Sequence, residues 1–485
     1  MKNSLLLLAT LALPALGLTL HQRDNPSVVT FDIARKDVAD PVARDRMRRK
    51  RDKTVNQNLD NEETLYYCTV ALGTPKQTLR LVLDTGSSDL WTNAANSTFC
   101  QSQANACSSS GTYDAGSSSS YSFVSSDFNI TYADSSGASG DYLTDTLQIG
   151  SATIDNFQFG VGYTSSSPQG VLGIGYTANE VQVGRNGQRA YPNLPKAMVQ
   201  DGLIKSNAYS LWLNDLDANT GSILFGGVNT DKYHGTLETL PIQKAGDIYS
   251  EFVIALTGVS LSKSSSTKKY SSSALPAAAL LDSGSSLTYL PDEIVKDIFD
   301  DLDVTYDPSS GVGYVPCSLA EKDVNISYTF SSPTIHVAAN ELLLDAGDLY
   351  FRNGDRACVF GIVPTGGSTP VLGDTFLRSA YVVYDLDNNE ISLANTNFNS
   401  TSDNILEIGT GDDAVPGATA VSNPVTSVVV GGSGARIGGP SSGSTGIFTS
   451  APPTATTKNA AGPRATGMPK RLAWGLAGAG YLLAL

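Results

Sequence analysis

Two stretches of this chain end an apolar run on a carboxylate and continue with small hydroxyl residues and a glycine. The first is L-R-L-V-L-D-T-G-S-S-D-L-W, from Leu79 to Trp91; the second is A-L-L-D-S-G-S-S-L-T-Y, from Ala279 to Tyr289. A single Asp-Thr-Gly reads as an Asx turn closing a strand. Its recurrence changes the reading, because two copies of one device can bring Asp84 and Asp282 together across a pseudo-twofold axis. Two carboxylates so placed share one proton: the ionised member takes a proton from a water, and the protonated member donates to a carbonyl oxygen. The chemistry implied is hydrolysis by an activated water, with no covalent intermediate.

Each acid needs a rigid strand behind it. Leu79, Leu81 and Leu83 alternate with Arg80 and Val82, which predicts a strand with at least one face in a core. Glycine then lets the backbone turn tightly. Each copy is followed by a second apolar-Gly element, G-V-L-G-I-G at 170–175 and P-V-L-G-D-T-F at 370–376. Short Val/Ile/Tyr/Leu-rich runs separated by Gly, Ser and Asn dominate the surrounding sequence, so mostly β structure is expected. Brief helices are predicted over 193–201 and 291–302, the second with Asp292 and Glu293 in its first turn.

These spaced motifs resemble the pepsin family of aspartic peptidases, in particular the fungal yapsins and candidapepsins, over roughly 65–397. The resemblance implies a bilobal, mostly β pepsin-like fold with the cleft between two related lobes, here 52–228 and 229–398, with 223–242 crossing between them. It implies Asp84 and Asp282 as the catalytic pair, supported by Thr85, Gly86, Ser87 and by Ser283, Gly284, Ser285. Ser87 and Ser285 would bond the outer carboxylate oxygens; Thr85 and Ser283 would tie the two loops together. A flap at 129–140 would carry Tyr132, bonded to the indole nitrogen of Trp91. Asp134, two residues on, stands where some fungal relatives carry an acid that accepts lysine just before the cleaved bond. The family pattern also pairs Cys100 with Cys107 and Cys317 with Cys358, leaving Cys68 as a buried, inert thiol in a strand. Peptide and protein substrates are implied, with neither cofactor nor metal.

Outside the catalytic body the chain reads as a series of processing signals. Lys2 and the apolar run from Leu5 to Leu13 suggest a signal peptide, 1–17, too short to span a bilayer. Residues 18–51 read as a propeptide ending in R-M-R-R-K-R, with cleavage after Arg51 by a basic-site convertase favoured over autocatalysis. Asn96, Asn129, Asn325 and Asn399 each begin a glycosylation sequon. From 399 to 459 a Ser/Thr/Gly-rich composition predicts a disordered stalk. Asn459, a spacer and an apolar tail over 460–485 match a glycosylphosphatidylinositol (GPI) attachment signal, which would tie the protein to a membrane through lipid; a tail anchor is the alternative.

Composition narrows the class further. Removing residues 1–51 and 460–485 takes away 13 of 32 basic residues but 5 of 47 acidic ones, leaving a formal charge of about −23. Nucleic acid is excluded as an expected partner, and an acidic working environment is favoured. With three histidines in all, His21, His234 and His336, a serine or cysteine triad and a zinc site have no support. A monomer is expected. Two rival readings, a pepsin-like fold that only binds and a structural wall glycoprotein, lack support: both Asp motifs are intact, and a stalk alone would not need a two-lobed body.

Overall fold

The computed structural model describes residues 26–36, 65–132, 136–218, 220–308 and 310–429. Among the described residues the β-rich runs form twelve strands through the lobe crossing. They are β1 (Val29–Lys36), β2 (Leu65–Leu72), β3 (Gln77–Asp84), β4 (Leu90–Asn93), β5 (Ser122–Thr131), β6 (Gly137–Ile149), β7 (Ala152–Ser165) and β8 (Gly170–Gly173). They continue with β9 (Ala208–Trp212), β10 (Thr220–Phe225), β11 (Gly227–Asn229) and β12 (Tyr233–Pro241). A 14-stranded sheet runs from the second lobe, through β12, Glu390–Thr396, Ala380–Asp385, β9, β10, β1 and β2, into the first lobe at β3, β8, β4, β7, β6 and β5. Leu211, Ile223, Phe225, Val382, Ile391 and Leu393 are buried along the middle of this sheet, in a core that both lobes share. The expected crossing at 223–242 is therefore a set of sheet strands, and the 228/229 division falls inside β11.

The repeated sequence device folds twice into one arrangement. β3 ends on Asp84 and runs parallel to β8, with Leu83 opposite Leu172 and Asp84 opposite Gly173; β8 runs antiparallel to β4. In the second lobe, Ala277–Leu281 runs parallel to Val371–Leu372, with Leu281 opposite Leu372, and Val371–Leu372 runs antiparallel to Thr288–Leu290. A strand from much later in the chain thus lies in the fork opened by each Asp loop. Glycine is required there by space. A Cβ on Gly173 would stand 2.6 Å from the Ser88 nitrogen, and one on Gly373 2.3 Å from the Ser285 oxygen. Helices form at Leu194–Gln200 and Asp292–Leu302, as the sequence predicts, the second burying Ile294, Val295, Ile298 and Leu302.

The structure adds to one expectation and changes another. Within the stretch 18–51, read as a propeptide, residues 29–36 form β1, between β10 and β2 in the middle of the sheet. The stalk was expected from Asn399, yet described structure continues to Val429. Ile405–Glu407 pairs with β11, Ala418–Ala420 pairs in parallel with β12, and Val429 bonds Pro276 and Ala278 at 2.7 and 3.1 Å. Composition misleads here because it averages over the window. Ile408, Ala414 and Val415 are scattered among Gly, Thr and Asp, but all three are buried against a cluster containing Trp212, Val228 and Tyr381. Residues 1–25, 37–64 and 430–485, and with them the signal peptide, Arg51, Asn459 and the GPI signal, lie outside the described residues.

Candidate active site

Asp84 and Asp282 are fully buried, each at the end of its strand. Their hydrogen bonds mirror each other. Gly86 N–H donates to Asp84 Oδ1 at 2.8 Å, and Gly284 N–H donates to Asp282 Oδ1 at 2.8 Å. Ser87 Oγ donates to Asp84 Oδ2, and Ser285 Oγ to Asp282 Oδ2 at 2.6 Å. The two loops are cross-tied through backbone. Thr85 Oγ1 donates to the Leu281 carbonyl at 3.0 Å and accepts from Ser283 N–H at 3.0 Å. Ser283 Oγ donates to the Leu83 carbonyl at 2.9 Å and accepts from Thr85 N–H at 3.1 Å. Each hydroxyl grips both the carbonyl and the amide of the opposite lobe, so neither loop can shift alone.

Electrostatics make the two acids a coupled pair. Burial raises Asp84 well above the usual carboxylate range, and the neighbouring Asp282 charge raises it further, while the Ser87 hydroxyl and Gly86 amide pull it back. Asp282 is also raised by burial, and the Ser285 hydroxyl and Gly284 amide pull it back in the same way. Two carboxylates sharing one proton is the known hallmark of aspartic peptidases, and burial of both acids side by side favours that singly protonated state. Glu251, half-buried, feels Asp282 as well: burial first, and that charge second, push it up to about 7.

Beside Asp84 stands the β5–β6 hairpin, with Thr131 opposite Gly137 and Tyr132 N–H donating to the Ser136 carbonyl at 2.8 Å; burial, and then the Asp84 charge, raise the Tyr132 hydroxyl well above its ordinary value. Trp91 Nε1 donates to the Tyr132 hydroxyl at 2.7 Å, both side chains being buried. The bond implied by resemblance is thus present. They pack with Phe128, Ile130, Tyr142 and Tyr191 in an apolar cluster beneath the hairpin. Asp134 lies outside the described residues.

Sequence reasoning missed a second carboxyl pair in this wall. Asp89 is fully buried; its Oδ1 accepts from Tyr142 Oη at 3.0 Å and Tyr191 Oη at 2.8 Å, and its Oδ2 from Val181 N–H at 2.9 Å. Glu180, also fully buried, accepts from Tyr191 N–H at 2.9 Å. Burial, with the Asp89 charge behind it, pushes Glu180 up to about 10. The one available signal was spacing: Asp89 stands two residues before Trp91, on the same side of an extended chain.

The other residues singled out in the sequence lie away from the acids. Disulfides join Cys100 to Cys107 and Cys317 to Cys358, with Cα separations of 5.3 and 5.0 Å. Cys68 is buried and its thiol is pushed up to about 12 by burial, which keeps it out of thiolate chemistry. Asn96, Asn129 and Asn399 are exposed, and Asn325 is half-buried in Val324–Thr329.

Comparison with known proteins agrees with this geometry. The family model for eukaryotic aspartyl proteases matches residues 65–396. Among curated relatives, "Probable aspartic-type endopeptidase opsB" of Aspergillus oryzae is 72% identical over 470 residues, covering 96% of each chain. "Aspartic proteinase 3" of Saccharomyces cerevisiae is 32% identical, over 77% of this chain and 78% of its own. In fold, the chain is similar to an aspartic proteinase from Irpex lacteus, with a TM-score of 0.57 at 21% identity, over 78% of this chain and all of the other. The chain therefore belongs to the eukaryotic aspartyl protease family, the pepsin family of aspartic endopeptidases.

Proposed function

We propose that this endopeptidase works in acid at the cell surface and that the Asp84–Asp282 pair carries the reaction. One of the two, ionised, takes a proton from a water held between the acids, while the other, protonated, donates to the substrate carbonyl. The tetrahedral diol then collapses as a proton moves to the leaving amine. One observation carries this assignment: each carboxylate has the same amide and hydroxyl donors, from loops that grip each other. Hydrolysis of a casein-type substrate at acidic pH, blocked by a pepstatin-type inhibitor and lost in Asp282→Asn, is the expected result. Substantial turnover by correctly folded Asp282→Asn would refute the assignment.

The finer reading rests on sequence. Signal cleavage after residue 17, convertase cleavage after Arg51, glycans at the four sequons and lipid attachment near Asn459 together describe a secreted, anchored zymogen. The formal charge of about −23 on the processed chain supports an acidic working medium, where part of that self-repulsion is neutralised. Cleavage after Lys or Arg as well as after large apolar residues is proposed, with Asp134 pairing the basic side chain. One charge-assisted hydrogen bond gives discrimination of about 1–3 kcal/mol. Asp134→Ser should lose the basic preference selectively on a peptide library; an unchanged ratio of basic to apolar cleavage would remove Asp134 from the pocket.

A further inference from the structure

Glu251 is an acid that the two-carboxylate reaction does not use, yet the sheet sets it against one of the two. Val253–Leu256 runs antiparallel to Ala277–Leu281 with Val253 opposite Leu280, and Leu281 N–H donates to the Phe252 carbonyl at 3.1 Å. Carrying that register on by one residue puts Glu251 opposite Asp282. Side chains alternate along such a pair, so the two acids share a face. Phe252 points the other way, into the core, with its ring centroid 4.7 Å from that of Tyr384 and 5.2 Å from that of Tyr176. In the run 250–256, Glu251 is the one side chain that is not buried. Among the described residues no hydrogen bond or ion pair reaches its carboxyl.

The segment that carries Glu251 is braced against the first lobe. Tyr249 stacks on Tyr176 with ring centroids 6.4 Å apart, and the Tyr176 carbonyl accepts from Ser88 Oγ at 2.6 Å, in the loop that follows Asp84. The charged groups on the same segment are turned elsewhere: Lys244 Nζ lies over the Tyr249 ring, 5.1 Å from its centre, and Asp247 is exposed. Among the described residues the charge that acts on Glu251, after burial itself, is that of Asp282.

We propose that Glu251 is a positioning residue for the shared proton: acting through Asp282, its carboxylate keeps that proton on the catalytic pair as pH rises and so carries hydrolysis towards neutral pH. Glu251 has this role only if the Asp84–Asp282 pair carries the reaction, as proposed above. Three acids then share the charge of the site, two fully buried and one half-buried and reached by water. The pair takes the first negative charge. The second falls on Glu251, because hydration stabilises a charge there and does not reach the buried pair. Removing the last proton from the pair would put a third charge into the cluster, against the repulsion of the other two. Without Glu251 the same step meets one charge instead of two, and the proton leaves at lower pH.

The test is the pH profile of kcat/KM, which reports titrations of the free enzyme, on a peptide without ionisable side chains. Each protein is normalised to its own maximum in acid, and assays are kept short enough that full activity returns on re-acidification, so unfolding does not enter the profile. Glu251→Gln should move the high-pH limb down by about half to one unit, leaving it roughly two- to fivefold less active at the pH where the parent is half-maximal. Glu251→Asp, which keeps the charge, should hold the limb near that of the parent. A Glu251→Gln limb that coincides with the parent's overturns the proposal, and so does a downward shift that Glu251→Asp reproduces in full. Failure of the two-acid assignment would appear separately, as hydrolysis that survives in Asp282→Asn.

Discussion

Glu180 gives the fold a built-in dependence on pH, and Glu180→Gln isolates it. The side chain is fully buried beside Asp89, and its carboxyl is pushed up to about 10 by burial and by that neighbour. In the unfolded chain a glutamate titrates near 4.5. Between those two values the folded state holds a proton that the unfolded state has released, so stability is complete below the unfolded value and falls as pH rises. Each pH unit in that window costs about 1.4 kcal/mol, so moving from pH 4.5 to pH 7 removes about 3 kcal/mol. For a body of this size that amounts to roughly 4 °C in Tm. Glu251, raised to about 7, adds a loss of the same sign over the same interval, and the variant keeps it. The measurement is therefore a difference: thermal unfolding at pH 4.5 and pH 7, parent against Glu180→Gln, both in an Asp282→Asn background to stop self-digestion. The parent should lose about 3 kcal/mol more than the variant. Equal losses in the two proteins would refute the reasoning.

Other outcomes follow from geometry already described. Tyr132→Phe deletes the acceptor of the Trp91 indole N–H inside a buried cluster, and kcat/KM should fall roughly 5–30-fold, the equivalent of about 1–2 kcal/mol; an unchanged value would detach that bond from catalysis. Truncation after Val429 should leave activity and Tm as they are. Truncation after Phe398 should destabilise the body, because Ile408 and Val415 alone bury apolar surface of roughly 3–5 kcal/mol; equal melting of the two truncated forms would refute the extended boundary.

What was legible in the sequence was local and repeated. Asp84 and Asp282 sit in nearly identical strings, and a strand followed by a hydroxyl-glycine turn needs only neighbouring residues to specify it. Trp91 and Tyr132 were reachable through resemblance, since their meeting depends on a hairpin whose length the motif spacing gives. The Asp89–Glu180 pair was not legible: ninety-odd positions separate the two acids, and an isolated acid in a polar stretch carries no mark of burial. β1 was hidden by context. Val29, Phe31 and Ile33 alternate as a strand should, but a basic run close behind them reads as a segment to be discarded. The extension beyond Phe398 was hidden by averaging, since its few buried side chains, Ile408, Ala414 and Val415, are set among Gly, Thr and Asp.

That extension also decides where a mechanical load enters the molecule. Chain beyond Val429 pulls on a residue bonded to Pro276 and Ala278, at the start of the strand that ends beside Asp282. Four residues of strand, roughly 13 Å, separate the point of attachment from the catalytic acid. The bridge at Ala277 is the first contact to give, and once it parts the strand behind Asp282 carries no load. Tension must then strip the Val425 N–H bond to Ser331, the Val421 N–H bond to Thr239 and the parallel ladder on β12 before it runs into the lobes. The wrapped segment acts as a strain relief, so an enzyme held by its C-terminal end can be tugged without its two acids being drawn apart.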